Sequence, residues 1–313
     1  MTTSTKETLL VDILENVSIP VRRSRTSSFW ADLAVLGIAF VWGASYPVAK
    51  GALFYAPVLI LVLYRFVVTT IFAAVVARHE IGSTSRGDRI RGVVLGTILF
   101  SVLIAETYGV ALTSAMNAAL IISLCVIFTP IIDYGLSRRI PPTSILASAG
   151  ISCIGVGILT GGIGEVSLGD ALVLVAAILR AVMVVSTKRL LTGRQISSAA
   201  LTAIQASMVT TLTLVLAVVQ FGFSGLVIRA DLQFWGAVAF LSLFCTIAAF
   251  YIQNSAVRKS TPTRVGFLMG TEPFFGFVLA HLLLAEPLTL TNSIGAGLIL
   301  VGTLAGILFE NRT

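Results

Sequence analysis

Two stretches of this chain constrain its fold more than anything else in it. Residues 32–50 read DLAVLGIAFVWGASYPVAK and residues 170–188 read DALVLVAAILRAVMVVSTK, both apolar, both opened by Asp and closed by Lys, and 138 residues apart. Further along, Gly150, Gly157 and Gly161 answer to Gly295, Gly302 and Gly306, each 145 apart, and Pro130 answers to Pro273 at 143. Offsets that drift by a few residues are what changes in loop length produce. A chain made of two copies of one apolar unit is expected to carry its chemistry between the copies, as membrane carriers do.

Composition puts that unit in a lipid bilayer. Apolar residues make up 57%, charged residues only 11%, and the mean hydropathy is +0.99, far from a soluble domain. A helical span needs about 20 apolar residues. Ten such stretches can be read, at 29–50, 56–77, 92–111, 114–135, 143–161, 169–190, 198–221, 233–255, 261–284 and 290–309. Only Leu112 and Thr113 separate spans 3 and 4, so merging those two, or losing another, gives a count of nine or eight.

Lys and Arg in the loops orient the spans. One side collects Lys6, Arg22, Arg23, Arg25, the basic cluster 78–91, Arg138, Arg139, Lys188, Arg189, Arg194, Arg258, Lys259, Arg264 and Arg312, which is 17 of the 21 basic residues. The other side has Lys50 and Arg229, while Arg65 and Arg180 fall inside spans. Both termini are therefore expected on the cytoplasmic face, which requires an even number of spans. With five spans per half, the second half is inverted relative to the first. The net charge of +7 is accounted for by topology and not by nucleic-acid binding.

The fold expected is all-α and integral to the membrane, with ten transmembrane helices in two inverted five-helix repeats. Residues 1–28 form a cytoplasmic tail, 29–161 the first repeat and 169–309 the second. The tail carries no signal peptide, since no apolar stretch follows an early basic region. Leu9, Leu10, Ile13, Leu14 and Val17 suit one face of a short interfacial helix, and a disordered tail is the alternative. Cys125, Cys153 and Cys245 all lie in apolar spans without metal-ligand spacing, and read as packing residues. Gly157-x-x-x-Gly161 and Gly302-x-x-x-Gly306 stand at matched places in spans 5 and 10, and Gly92-x-x-x-Gly96 and Gly266-x-x-x-Gly270 also occur. Such spacing lets helix backbones approach closely in lipid. Spans 5 and 10 are assigned a scaffold role; a dimer interface is the competing reading.

The residues resemble a known family. VWGASYPVAK in span 1, Arg65-Phe66 in span 2 and above all TEPFFGFVLAHLLLAEPLTLTNSIGAGLILVGTLAG from Thr271 to Gly306 are similar to the motifs of the drug/metabolite transporter superfamily, specifically its EamA-type members. The resemblance covers about residues 29 to 309. It implies two inverted five-helix repeats, a central cavity and transport of small metabolites, often export of amino acids or related compounds. Two departures stand out. Arg180 occupies a place where the family more often has an aromatic or small residue, and Arg138-Arg139 replaces the acidic position that Glu286 fills in the second repeat.

Polar groups at membrane depth carry the chemistry, because each costs about 2.5–3.5 kcal/mol on insertion scales. At about 1.5 Å per residue, Arg65 lies roughly 14 Å into span 2, Arg180 roughly 15 Å into span 6 and Glu272 roughly 15 Å into span 9. Glu106 lies roughly 21 Å into span 3 by the same rise. Two cations and two acids thus share the middle of one bundle. Glu272 precedes Pro273, which frees the carbonyl of Met269 from the helical ladder, so Glu272 reads either as a contact for a substrate amine or a proton, or as a salt bridge to Arg180 or Arg65. Arg65 matches the family motif and suits a structural role. Arg180 stands at the repeat position equivalent to Trp42, near the pseudo-symmetry axis, where a guanidinium can hold a carboxylate or phosphate or balance Glu106 or Glu272.

Trp42, Tyr46, Asn117 and Tyr251 complete the candidate substrate-binding set of Glu272, Arg180, Arg65 and Glu106; Tyr108, Gln253 and Asn254 are weaker candidates. Asp133 is expected in a surface pair with Arg138. Glu286 is expected to cap or brace the loop into span 10, Asp32 and Asp170 to start spans 1 and 6, and His281 to lie near the outer interface. Enzyme classes fit poorly: His79 and His281 are the only histidines, and no H-E-x-x-H, G-x-S-x-G or P-loop motif occurs. No cofactor or metal is implied. The expected partners are a small-molecule substrate, the lipid bilayer and, for coupling, protons, in a monomer or a dimer. The reading is a secondary transporter of small polar metabolites, amino acids or related zwitterions, exported across a cell inner membrane by alternating access. An accessory or lipid-handling membrane protein and an uptake carrier are the alternatives.

Overall fold

In the computed structural model, residues 25–160, 166–228, 231–249, 252 and 268–310 are described; the N-terminal tail, Tyr251, Gln253, Asn254 and the basic loop after span 8 lie outside that set. The described residues are helical throughout, without strands. The apolar helices are α1 (Arg25–Ala52), α2 (Val58–Val76), α3 (Arg86–Leu112), α4 (Ala115–Leu136), α5 (Thr143–Leu159), α6 (Leu168–Leu191), α7 (Ser198–Phe221), α8 (Leu232–Ala248), α9 (Glu272–Leu284) and α10 (Leu290–Glu310). Among the described residues six are long and apolar enough to cross a membrane, while α5, α8, α9 and the apolar part of α10, Leu290–Gly306, are shorter. A short helix, Arg78–Ser83, follows α2.

Local sequence sets the boundaries. Serine opens four helices: Ser85, Ser114, Ser167 and Ser197 each accept a bond from a backbone N–H three residues on, satisfying donors that have no partner inside the helix. Ser167 and Asp170 form a reciprocal capping box. Spans 3 and 4 do not merge, because Thr113 is extended (φ −125°, ψ −179°) and Ser114 restarts the helix with its hydroxyl on the Asn117 amide at 2.9 Å. Asp170 starts its helix as expected; Asp32 does not, since α1 already runs from Arg25. Two helices leave regular α geometry: α4 tightens to a 3-10 turn at Ile122–Leu124, and α8 widens to a π-helix from Phe240 to Ala248.

The helices pair in a pattern that survives moving every helix five places along the chain. The closest pair is α5 with α10, and α2–α7 and α4–α9 likewise map onto themselves. The pair α1–α9 exchanges with α6–α4, and α3–α6 with the lighter pair α8–α1. Large apolar side chains face outward all along these helices, among them Ile71, Val75, Ile154, Val219, Leu282 and Val301, as lipid contact requires and water would not favour.

Glycine and serine bring the scaffold helices together, through Gly302 of α10 as the spacing suggested but through a different face of α5. A Cβ on Gly155 would lie 2.9 Å from the Gly295 carbonyl, one on Gly295 2.7 Å from the Leu159 nitrogen, and one on Gly302 2.8 Å from the Ser148 carbonyl. Gly157 has nothing within 4 Å of that position, so it points away from α10; Gly161 lies outside the described residues. The Gly92-x-x-x-Gly96 motif does serve a contact, seating Ile204 and Met208 of α7.

Candidate functional site

The middle of the bundle gathers polar groups from seven helices, and α1 organises them. Trp42 and Tyr46 lie one turn apart, on one face. Trp42 donates its indole N–H to the Cys245 carbonyl at 2.7 Å, a carbonyl of the π-helical part of α8. The Arg180 guanidinium of α6 sits 5.9 Å from the centre of the Trp42 ring, within range for a cation–π contact. Tyr46, only 3% exposed, donates its hydroxyl to Glu272 Oε1 at 3.1 Å. The repeat-equivalent residues Trp42 and Arg180 are thus in contact, and Tyr46 ties the acid of α9 to the same face.

Glu272 is the first residue of α9. The helical residues Leu268 and Met269 give way to a turn at Gly270–Thr271, and Pro273 restarts the helix, so the break falls beside the carboxylate. A helix N-terminus presents free N–H groups and the positive end of the dipole, which suits an acid. Half-helix ends at membrane depth are where carriers hold charged solutes.

Arg65 enters from α2. Its Nη2 donates to Thr246 Oγ1 of α8 at 3.3 Å, while its buried Nε has no partner. The Arg65 carbonyl accepts from Thr69 and Ser242, both at 2.9 Å. Thr246 in turn donates to the Leu241 carbonyl five residues back, the step of a π-helix. The widened segment of α8 therefore supplies partners to both Trp42 and Arg65.

Glu106 of α3 lies within electrostatic range of Arg180 and Glu272, and Cys125 of α4 lies near the same groups. Among the described residues, no Arg–carboxylate contact under 4 Å closes within the layer. The ion pairs Arg91–Asp88, Arg194–Asp88, Lys188–Asp133 and Arg189–Asp133 sit at the arginine-rich end. Arg65, Glu106, Arg180 and Glu272 each keep partial solvent accessibility in mid-bundle, as residues lining a cavity do. Two cations and two acids held apart at this depth can accept a solute that carries both signs.

Several residues stand elsewhere than the sequence suggested. Asn117 donates its amide to Asp170 Oδ1 at 3.1 Å, at the arginine-poor end and away from the charged layer. Glu286 holds the loop into α10 by capping a helix distant in sequence: its carboxylate accepts the backbone N–H groups of Ala115 and Met116, at the start of α4, at 2.7 and 2.9 Å. Asp133 pairs with Lys188 at 3.6 Å and Arg189 at 3.0 Å and not with Arg138, because Arg138 turns away through a left-handed conformation (φ 52°) just past the end of α4. Cys125, Ser242 and Thr246 were missed. A lone thiol or hydroxyl in an apolar run gives no signal of its own, and the π-helix that brings buried Thr246 to Arg65 has no sequence signature here. Among the described residues, no three His, Cys, Asp or Glu side chains are grouped to hold a metal ion.

The profile of the EamA-like transporter family matches residues 29–161 and again residues 167–307. No curated protein matches at a significant level. A protein of known crystal structure, 17% identical, superposes over 92% of this chain and 99% of its own with a TM-score of 0.60. At that identity the likeness concerns the fold alone.

Proposed function

This chain belongs to the EamA-like transporter family, a family of membrane transporters and not of enzymes, and from that premise we propose a secondary carrier of small zwitterionic metabolites, with amino acids as the leading class. It has ten spans in two inverted five-helix repeats, residues 29–161 and 169–309, with both termini cytoplasmic. Solute leaves the cell across the inner membrane by alternating access between the repeats. The helix pairing that survives a five-place shift supports the repeats, and the arginine-rich loops support the orientation. One chain supplies every residue of the layer, so a monomer suffices.

The observation that carries the substrate class is the balanced charged layer. Glu272, at a helix N-terminus and in reach of Tyr46, suits a substrate ammonium. Arg180 on Trp42, with Arg65 and its unpartnered Nε behind it, suits a carboxylate. Glu106 and Glu272 together match the charge of the two guanidinium groups. Leaving any of these charges uncompensated in mid-membrane is costly, so a solute carrying both signs is favoured over one carrying a single charge.

Counterflow in proteoliposomes, against amino acids, organic anions, organic cations and nucleosides with an internal pH dye, tests this reading. The expected result is exchange of an amino acid that is lost in Arg180→Ala and Glu272→Gln. An accompanying pH change identifies protons as the coupling ion. Exchange of only singly charged solutes, or silence across the panel with folded protein, contradicts the proposal; silence points to an accessory or lipid-handling role.

A further inference from the structure

The arginine-poor end of the bundle is fastened at one short link. Thr113–Met116 joins α3 to α4, and three separate elements converge on it with charged groups. From α1, Lys50 donates to the Val110 carbonyl at 3.0 Å and to the Thr113 carbonyl. From α6, Asp170, 4% exposed, accepts the Thr113 hydroxyl at 2.5 Å and the Asn117 amide at 3.1 Å. From the α9–α10 link, Glu286 accepts the first two N–H groups of α4, while its own carbonyl bonds His281 Nδ1 at 2.7 Å.

The groups held are those a helix cannot satisfy internally: the last carbonyls of α3 and the first N–H groups of α4. Such groups can bond to protein when the end is dry or to water when it is wet. The contact is therefore reversible without stranding polar atoms, unlike a contact made in mid-helix. Directly inward lies a tight plug. A Cβ on Gly276 would stand 2.4 Å from the Ala119 Cβ and 3.5 Å from the Tyr46 ring, whose hydroxyl bonds Glu272, while at the link itself one on Gly169 would stand 2.5 Å from the Thr113 nitrogen. The plug separates the charged layer from the arginine-poor end.

We infer that Glu286 is the latch of the outward-facing gate: its carboxylate pins the α9–α10 link to the N-terminus of α4, and it must let go for the layer to open to that side. The inference rests on the carrier reading for its purpose, but its structural claim is separate. A carboxylate offers two acceptor oxygens to two N–H donors, whereas an amide offers one oxygen and must turn a donor towards the second N–H. Glu286→Gln therefore unlatches the gate with little change in volume.

Cys125, partly buried on α4, is a built-in reporter once Cys153→Ser and Cys245→Ala remove the other two thiols. A membrane-impermeant maleimide is added to right-side-out and to inverted membrane vesicles. The loss of a charge-assisted bond predicts outside labelling of Cys125 about tenfold faster in Glu286→Gln, with inside labelling unchanged or slower. Lys50→Gln, which releases the same link from α1, moves labelling in the same direction and serves if the first variant does not fold. Unchanged outside labelling in a folded variant, or equal acceleration from both sides, overturns the latch. Faster outside labelling in a protein whose parent exchanges no solute leaves the latch standing and removes the carrier reading.

Discussion

Gly302→Ala and Gly157→Ala make a matched pair that separates the packing observed here from the one the glycine spacing suggests. Both residues are helical glycines in the scaffold pair, and a motif reading treats them alike. At Gly302 the new methyl group would lie 2.2 Å from Ser152 Oγ, 2.8 Å from the Ser148 carbonyl and 3.0 Å from the Ser152 nitrogen. The hydroxyl can rotate away, but the carbonyl and the amide belong to the backbone of α5. Restoring an ordinary contact of about 3.5 Å requires α5 and α10 to separate by roughly 0.6 Å. Overpacking of this kind costs about 1–3 kcal/mol, against a helix-propensity gain of about 1 kcal/mol for replacing Gly by Ala. At Gly157 nothing stands within 4 Å, so only the gain remains. The two variants should differ by about 2 kcal/mol, with Gly157→Ala at or above the parent stability and Gly302→Ala below it. Thermal unfolding of the detergent-solubilised protein, followed by size-exclusion fluorescence, reads the order directly. Equal melting of the two variants, or a lower melting temperature for Gly157→Ala, would refute the reasoning.

Tyr46→Phe removes the hydroxyl from Glu272 without opening a cavity, and should weaken solute exchange about tenfold, the worth of one bond to a charged group; an unchanged exchange rate would count against a role for Glu272 in binding. Thr246→Val strands the Arg65 guanidinium, whose Nε already lacks a partner, and should lower stability by about 1–3 kcal/mol, measurable by the same melting assay. Asp133→Asn breaks both Lys188 and Arg189 contacts, yet these groups are largely exposed. Its effect on melting should stay below about 1 kcal/mol, and exchange should be untouched.

What the sequence revealed and what it hid divide along physical lines. Periodic and local signals were readable: the apolar spans, the start of span 6 at Asp170, and the mid-span charges, because each rests on residues near in sequence or on the cost of a charge in lipid. The contact of Trp42 with Arg180 was foreshadowed by their repeat-equivalent positions. The interface face of α5 was not readable. That helix is apolar all round, so small residues four apart occur on more than one face, and only packing against α10 selects Gly155, Ser148 and Ser152 over Gly157. Glu286 was equally hidden, since its partners lie 170 and 171 residues away and a helix N-terminus attracts any acid that the fold brings near. Asn117 looked like a cavity residue for its depth in span 4, but a capping aspartate one helix away claims its amide.

The central claim is that the charged layer reads both ends of a zwitterion. Counterflow of one transported amino acid, compared with its N-acetyl derivative and its carboxamide, tests that claim most directly, since each derivative removes one charge and leaves the side chain intact. Exchange of the parent solute with loss of both derivatives is the predicted result. Equal exchange of either derivative would mean that Glu272 or Arg180 does not engage the solute's charge, and the two-charge site would fall.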